Sequence, residues 1–336
     1  MGMLYAAIDI HKHVFQAVVL DPVSGEVVES RLPATREALA AWAAEWEGKL
    51  AAVAIEATCG WRWVARELQA RAIEVRLAEP AQARALKGKK RQAKTDRLDA
   101  RWLAILLAKE MLPGSWLPPE DIQRLRDLTR LRQALRHDRT RWAQRLHAIL
   151  LHEGWPCSRS QLLTTKGRRW LQALRLDSHA RRIVDAHSEM ISVIEEQMVE
   201  IDRQLRLLAR DDRRLLALQT IYGVGPVLAC HLLAEIGDAR RFRRSRQLVR
   251  VAGLDPVVLE SGESKRRGKL SKQGSPQLRW ALVQAAQHTA RRPASPDRDL
   301  YLQVKERAGG QRATLTTARK IARRAHHVLT PLEDAA

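Results

Sequence analysis

Short β-type runs open this chain, and their connections are too short to hold a helix. Residues 4–10 and 14–20 are rich in β-branched and other apolar side chains, and a third run begins at Glu26. The segment Asp21–Gly25 between the second and third runs has the composition of a turn. This spacing predicts an antiparallel meander of three strands, which limits the fold more than any other feature of the sequence.

After the meander, helix and strand patterns alternate. Thr35 opens an amphipathic helix that runs to about Trp46, and 51–55 is an apolar run typical of a buried strand. A second helix is predicted at 61–71 and another strand at 73–77. The order βββαβαβ, followed by helices, predicts an α/β domain in which a mixed sheet is covered by helices.

The rest of the chain has helical patterns. We take 1–115 as the first domain, since Pro and Gly residues follow it. Segments 120–150 and 180–212 have the pattern of two long helices that pack against each other as a coiled coil, with an irregular connection at 152–179 between them. We therefore expect 116–212 to be a linker and oligomerisation region, and 213–336 to be a mostly helical C-terminal domain. The stripe predicted for the second long helix consists of Ile183, Met190, Ile194, Met198, Ile201, Leu205 and Leu208.

Positive charge is concentrated towards the end of the chain. The net charge is +21, of which residues 213–336 carry +14. A concentrated positive field attracts a polyanion and binds it with release of counterions. The region does not form one long amphipathic helix, so a nucleic acid is a better fit than a membrane surface.

Segment 215–229 reads as an apolar helix, a Gly-x-Gly turn and a second apolar helix, which resembles a helix-hairpin-helix. Glycines let a turn approach a phosphate closely, and the next helix start offers free N–H groups. This pattern alone also fits a plain turn between two helices. Arginines just downstream, Arg243 and Arg244 among them, favour phosphate binding at Gly223 and Gly225.

Four carboxylates in the first domain form a candidate metal site. Asp9 interrupts an apolar strand, which is costly for a charged side chain. Glu56 directly follows the buried strand 51–55, at the end of a strand where α/β sheets usually bind their ligands. Asp96 and Asp99 share one face at a helix start, where capping alone explains only one of them. Mg²⁺ or Mn²⁺ favours such hard oxygen ligands, and phosphoryl-transfer sites hold these ions in pairs. We expect two ions here.

Segment 260–272 holds Ser261, Ser264 and Ser271 among several cations and reads as a polar, mobile loop. A flexible phosphate-contacting loop without a nucleophile is the simpler interpretation of this composition. A serine hydroxyl needs a base or a metal to become nucleophilic, and no histidine lies within the loop. If one of these serines reacts, its activation must come from the metals of the acidic domain.

The sequence excludes several classes of protein. Its three cysteines, Cys59, Cys157 and Cys230, are far apart, which argues against a zinc ribbon or a disulfide scaffold. The first residues lack a signal-peptide pattern, and no apolar run is long enough for a membrane helix. We expect a soluble cytoplasmic protein with no membrane partner.

Seven short motifs, taken together and in order, resemble those of DEDD-type insertion-sequence transposases. Their N-terminal domain is similar to the RuvC Holliday-junction resolvase, which has an RNase H-like fold. The motifs are Ala7–Lys12, Ile55–Gly60, Lys94–Ala100, Ile221–Pro226, Ala252–Pro256, Glu260–Gly262 and Lys272–Arg279. Two positions depart from the family pattern: Ser275 stands where Asn is usual, and Asp255 where an apolar residue is commoner.

This resemblance implies a function for particular residues. Asp9, Glu56, Asp96 and Asp99 correspond to the catalytic, metal-binding tetrad, and Ser261 corresponds to a nucleophilic serine that joins DNA covalently. The resemblance also implies double-stranded DNA substrates, a structured bridge RNA as guide, and a homo-oligomer, a dimer or tetramer, with composite active sites. A hydrolytic RuvC-like junction nuclease and a non-catalytic nucleic-acid-binding protein are the alternatives.

Further residues are predicted to bind nucleic acid. Lys87, Lys89, Lys90 and Arg91 cluster beside the acidic motif and are expected to contact the RNA. In the C-terminal domain the candidates are Gly223, Gly225, Arg243, Arg244, Lys265, Arg266, Arg267, Lys272 and Arg279. Tryptophans can stack on unpaired bases. Helix stripes favour a core position for Trp42, Trp46 and Trp102, whereas Trp61 and Trp63 are open to either interpretation.

Overall fold

The computed structural model describes residues 3–86, 96–261 and 264–333, with no side chains described for residues 96, 258–269 and 333. Its contacts divide the chain into two compact units, Met1–Leu117 and Pro118–Ala336. The separate tasks that we expect for 116–212 and 213–336 stay predictions.

A mixed sheet forms the centre of the first unit. In the described residues its six strands lie in the order β3-β2-β1-β4-β5-β6. β2 pairs antiparallel with both β1 and β3, so the predicted meander is confirmed, and β4 and β5 continue the sheet parallel to β1. The strands are β1 (Leu4–Ile10), β2 (Val14–Leu20), β3 (Val27–Pro33), β4 (Leu50–Glu56), β5 (Val75–Ala78) and β6 (Gly114–Ser115).

Helices cover both faces of this sheet. Alternation along β1 places Ala6, Ile8 and Ile10 in the core under α1 and α2, while Ala7 packs on the opposite side with the apolar face of α4. Thr35 caps α1 through its hydroxyl, as its residue type predicts. The helices of this unit are α1 (Arg36–Glu45), α2 (Trp61–Gln69), α3 (Pro80–Ala85) and α4 (Asp96–Ala108).

Two long helices begin the second unit. α5 (Glu120–His152) and α8 (Ser178–Asp211) run antiparallel, since Arg132 pairs with Asp202 while Arg139, further along α5, pairs with Glu195, nearer the start of α8. The predicted pair of helices is therefore confirmed. Their connection is not irregular throughout, because it contains α6 (Arg159–Leu162) and α7 (Thr165–Ala173).

The predicted stripe of α8 is partly wrong. Ile194, Ile201 and Leu205 are buried as expected, but Met190 and Leu208 are among the exposed apolar residues. The buried face instead includes Ala180, Val184, Ile191 and Ala209. The helix turns by 100° per residue, so a stripe assigned one position away still looks periodic in the sequence.

The remainder of the second unit is mainly helical, with one β-hairpin. Its helices are α9 (Arg213–Gln219), α10 (Pro226–Ile236), α11 (Ser245–Val251), α12 (Pro276–Arg291), α13 (Arg298–Ala308) and α14 (Gly310–Glu333). Strands β7 (Pro256–Ser261) and β8 (Ser264–Leu270) pair antiparallel between α11 and α12. Among the described residues, no helix combines the length and the apolar character that crossing a bilayer requires.

Candidate active site

Two of the predicted carboxylates lie side by side on neighbouring parallel strands. β1 and β4 pair in parallel with Ile8 opposite Ile55, and one further step in that register brings Asp9 beside Glu56. Ile8 and Ile55 point into the core under α1 and α2, so strand alternation directs Asp9 and Glu56 to the α4 face. Two separate motifs thus meet at the carboxyl edge of two parallel strands.

The third carboxylate comes from α4. This helix packs on the sheet through Ala100, Leu103, Ala104 and Leu107, and Asp99 precedes this apolar face. Asp9, Glu56 and Asp99 line one cavity of about 730 Å³. Asp96 is the first residue of α4, but its side chain lies outside the described residues.

Asp9 is held in a nearly buried position. Its residue surface is 9% exposed, and the His11 ring nitrogen Nε2 lies 3.2 Å from its Oδ2. A carboxylate so placed is costly unless it is paired or ligated, and His11 supplies one partner. Asp9 is therefore not a solvated side chain on the outer face of the strand.

The donor atoms of the cavity suit a hard divalent cation. Three carboxylates on one cavity supply the oxygen ligands that Mg²⁺ or Mn²⁺ prefers. Within the described part of the chain, however, no three His, Cys, Asp or Glu side chains converge closely enough to hold an ion unaided. The donor chemistry fits a metal, and the side chain of the fourth predicted ligand, Asp96, lies outside the described ones.

Ser261 is the last residue of β7, in the second unit. Its backbone register partner across the hairpin is Ser264. The segment predicted as a loop is therefore a β-hairpin over most of its length, with Ser261 at the end of its first strand. The charged residues of β8 leave no alternation of apolar and polar side chains, so the sequence did not predict a strand there.

Side-chain bonds fasten the base of this hairpin. Ser271 Oγ donates to Asp255 Oδ1 at 2.6 Å, and the Ser271 amide donates to the Asp255 carbonyl at 2.9 Å. The Arg279 guanidinium donates to the carbonyl oxygens of Ala252 at 3.1 Å and Lys272 at 3.4 Å. Asp255, which departs from the family pattern, thus holds the two ends of the hairpin together through Ser271. Arg279 stabilises the same region, in addition to any contact with DNA.

Ser275 is also built into the fold. Its hydroxyl donates to Glu235 Oε2 at 2.8 Å and accepts the Leu278 amide at 3.1 Å, which caps α12. Glu235 is buried, and Arg130 of α5 donates to its other carboxylate oxygen at 3.0 Å. Sequence reasoning missed Glu235, since an isolated acid in an apolar helix does not reveal its partners.

The Gly-x-Gly turn joins α9 to α10 as predicted. Residues 219–228, with Arg206, His288 and Arg292, line a cavity of about 650 Å³. A Cβ on Gly223, where φ is +86°, would lie 2.7 Å from the Ala285 carbonyl oxygen of α12. Gly223 is therefore required for packing against α12, while nothing lies within 4 Å of a Cβ on Gly225.

The remaining predicted nucleic-acid contacts differ in what the structure says of them. Arg243, Arg244 and Lys272 are exposed and available to a partner. Lys265, Arg266 and Arg267 belong to the part of β8 whose side chains are not described. Lys87, Lys89, Lys90 and Arg91 fall outside the described residues.

Aromatic side chains in the cavity were only partly foreseen. Phe15, Trp63 and Trp102 line it together with the carboxylates, and Trp102 is half-buried against the core on the α4 face. Trp42 is buried as predicted, and Trp46 is half-buried against the same core. In the sequence, Trp61 and Trp63 both follow Gly60 at the start of the same helix. Helix periodicity therefore could not show that Trp63, and not Trp61, lines the cavity.

Two family models match the chain. One, described as transposase of the IS116/IS110/IS902 family, covers residues 216–302, and the other, a DEDD transposase model named for IS110, covers residues 6–154. The regions of the acidic cavity and of the serine hairpin thus each match one of the two models.

Individual relatives agree with these models. The protein y4qE of Sinorhizobium fredii is 32% identical over 212 residues, which span 62% of this chain and 52% of that relative, about half of its length. The transposase for insertion sequence element IS1328 of Yersinia enterocolitica is 27% identical over 70% of this chain and 69% of its own. The transposase for IS1111A of Coxiella burnetii is 26% identical over 93% and 86%, respectively.

Proposed function

Because the chain belongs to the IS116/IS110/IS902 family of transposases, we propose that it cuts and rejoins the DNA of an insertion sequence through a metal-assisted phosphoserine intermediate. The observation that carries this proposal is that Asp9, Glu56 and Asp99 line one cavity although they come from three elements far apart in sequence. The strand order of the sheet, with parallel neighbours at its centre, supports the RNase H-like assignment.

The acidic cavity would hold the metal. Asp9, Glu56 and Asp99, with Asp96, are the proposed ligands of two Mg²⁺ or Mn²⁺ ions. When bound, these ions would neutralise charge on the scissile phosphate and lower the proton affinity of an attacking hydroxyl. His11 orients the Asp9 carboxylate from one side, at 3.2 Å.

Ser261 is the proposed nucleophile. A bond forms between Ser261 Oγ and phosphorus as one phosphorus–oxygen bond of the DNA strand breaks. The serine loses its proton, and the departing DNA oxygen takes one up as a free hydroxyl. Attack by the hydroxyl of another strand reverses the step, so the phosphoester bond is conserved and no nucleotide cofactor is needed.

Partners follow from the same proposal. The acids and Ser261 lie in different units of the chain. A homo-oligomer, a dimer or tetramer, would join the acidic unit of one subunit to the serine hairpin of another. Exposed Arg243 and Arg244 and the Gly-x-Gly turn, as a helix-hairpin-helix, would bind DNA phosphates, while Lys87–Arg91 would contact a bridge RNA.

The mechanism is tested with single substitutions in a strand-cleavage assay on plasmid DNA that carries the element, with and without Mg²⁺. Asp9→Asn and Glu56→Gln should each lower cleavage more than ~100-fold, because groups that stabilise transition-state charge contribute on that scale. Ser261→Ala should abolish cleavage and the covalent adduct, which mass spectrometry of trapped protein–DNA complexes would map. Ser264→Ala, at the paired position of the hairpin, is the matched control and should retain both.

Each alternative function predicts a different outcome. A hydrolytic nuclease would lose cleavage in Asp9→Asn but keep it in Ser261→Ala. A non-catalytic binding protein would show no metal-dependent cleavage at all, and its DNA binding would survive both acidic substitutions.

A further inference from the structure

One part of the acidic cavity is aromatic. The ring centres of Phe15 and Trp63 are 5.4 Å apart, with the ring planes inclined by 36°. Phe15 is 1% exposed and belongs to the core, whereas Trp63 and Trp102 are half-buried and contribute to the cavity surface. The carboxylates therefore share the cavity with large π surfaces that are not fully buried.

Contacts with neighbouring residues restrain both indoles. Trp102 Nε1 donates to the Ala83 carbonyl at 3.1 Å, which fastens α4 to α3. The guanidinium of Arg36, which does not line the cavity, lies 5.7 Å from the centre of the Trp63 ring, a cation–π contact. An aromatic side chain that is already restrained loses less conformational entropy when a planar ligand stacks on it.

The charges around the cavity indicate what that ligand is. Lys12 and Arg84 are exposed cations that also line it. A strand of nucleic acid combines the two features that this surface needs, a planar base for the aromatic side chains and phosphates for the cations. The cavity volume of about 730 Å³ lies within the ~300–1,000 Å³ of pockets that take small molecules.

We propose that this cavity binds one unpaired nucleobase of the DNA strand, stacked on Trp63, with the neighbouring phosphate at the carboxylates. The inference rests on the proposed function, which puts the scissile phosphate there. A base inside a duplex does not offer its π face, so the strand must be locally unpaired where it is cut. The aromatic wall thus selects distorted or single-stranded DNA over intact duplex.

Trp61 and Trp63 provide a matched comparison. Both are half-buried in the first turn of α2 and pack against the same core, but only Trp63 lines the cavity. Trp61→Ala and Trp63→Ala therefore remove similar side chains from the fold, and only the second removes the proposed stacking surface. Trp63→Phe retains an aromatic ring.

The test uses the full chain, Ca²⁺ in place of Mg²⁺ so that the carboxylates are neutralised while cleavage is suppressed, and short single-stranded DNA oligonucleotides with 5-iodo-deoxyuridine at successive positions. Ultraviolet cross-linking followed by mass spectrometry should identify Trp63, and Trp63→Ala should lose this cross-link. Fluorescence anisotropy should show about tenfold weaker binding for Trp63→Ala, the scale of one stacked base. Trp63→Phe should retain most of the affinity, and Trp61→Ala all of it.

A second set of oligonucleotides carries one abasic position. Removing the stacked base should weaken binding to the unmodified protein by the same factor, and it should not weaken binding to Trp63→Ala further. Equal losses for Trp61→Ala and Trp63→Ala, or cross-links confined to other tryptophans, would overturn the proposal. Tighter binding of an RNA strand of the same sequence at this site would overturn the assignment to DNA.

Failure of the proposed function gives a different result from failure of the base site. Cross-linking to Trp63 is measured with Ca²⁺ and without cleavage. If Ser261→Ala and Asp9→Asn left cleavage intact while the Trp63 cross-link persisted, the phosphoserine mechanism would be wrong and the base site would stand.

Discussion

At the residue scale, the sequence predicts phosphate binding at both Gly223 and Gly225, but the structure gives the two glycines different roles. Gly223 has φ +86°, and a Cβ there would lie 2.6 Å from Thr289 Oγ1 and 2.7 Å from the Ala285 carbonyl. Gly225 has φ −85° and open space around it, and its position is the N-cap of α10. One glycine serves packing, and the other is available to a ligand.

This difference predicts opposite stability effects. Gly223→Ala should lower the free energy of unfolding by about 2 kcal/mol or more, from backbone strain and the contact with α12. Gly225→Ala should cost only about 0.5 kcal/mol, because alanine is a poorer N-cap than glycine. Urea denaturation of the two variants checks this. Equal losses would contradict the packing assignment of Gly223.

At the scale of elements, one buried carboxylate ties two helices together. Asp297, directly before α13, is 0% exposed and pairs with Lys320 and Arg324 of α14. Lys320 Nζ lies 2.7 Å from Asp297 Oδ1. Burial by itself raises the pKa of Asp297, but the hydrogen bonds from Lys320 and Arg324 outweigh it and hold the pKa below its ordinary value of 3.8.

A lowered pKa makes this tie dependent on pH. Its contribution to stability is complete above the unfolded pKa and is lost as pH falls below about 4, through the folded pKa. Near pH 7, Asp297→Asn should lower the free energy of unfolding by about 2 kcal/mol, since the two cations left behind are partly solvated. The exposed neighbour Asp299, changed to Asn, should alter it by less than ~0.5 kcal/mol.

Urea denaturation at several pH values measures both variants. The difference between the unmodified protein and Asp297→Asn should shrink as pH falls from 6 towards 3, because the unfolded chain then takes up a proton at Asp297 that the native carboxylate, with its lower pKa, binds only at still lower pH. A difference that stays constant over this range would contradict the ion pair as its cause.

At the scale of the whole molecule, charge is unevenly divided. Of the net +21, residues 213–336 carry +14, within the second unit. Many arginines of this unit are already paired on their own helices, as Arg203 is with Glu200 at 2.7 Å and Arg124 with Glu120 at 3.1 Å. The exposed pair Arg243 and Arg244 is a better candidate for phosphate contacts.

Neutralising that pair should change the salt dependence of DNA binding. Each phosphate contact contributes about 0.9 to the slope of log affinity against log salt concentration. The double variant Arg243→Gln, Arg244→Gln should therefore have a slope smaller by about 2. The matched double variant Arg124→Gln, Arg203→Gln should leave the slope unchanged, and anisotropy titrations over a range of salt concentrations compare the two. Equal slopes in both would remove Arg243 and Arg244 from the interface.

Much of the first unit was predictable because its strands are short and locally patterned. The boundaries of β1, β2 and β4, and the Thr35 cap of α1, agree with the sequence analysis to within a residue. The hairpin around Ser261 was missed, since its charged residues hide strand alternation. On α8 the sequence analysis placed Met190 and Leu208 on the buried face, but the next residues, Ile191 and Ala209, are buried instead. The apolar residues of this helix fit more than one stripe.

The sequence by itself determined the kinds of residue that meet in this protein: carboxylates at strand and helix ends, a serine among cations, and glycines in a turn. Local propensity and alternation encode those positions over a few residues each. Only the tertiary structure decided that Asp9, Glu56 and Asp99 share one cavity with Trp63, and that Gly223 serves the packing of α12. Contacts between residues far apart in the chain depend on how sheets and helices pack, and no local pattern records that.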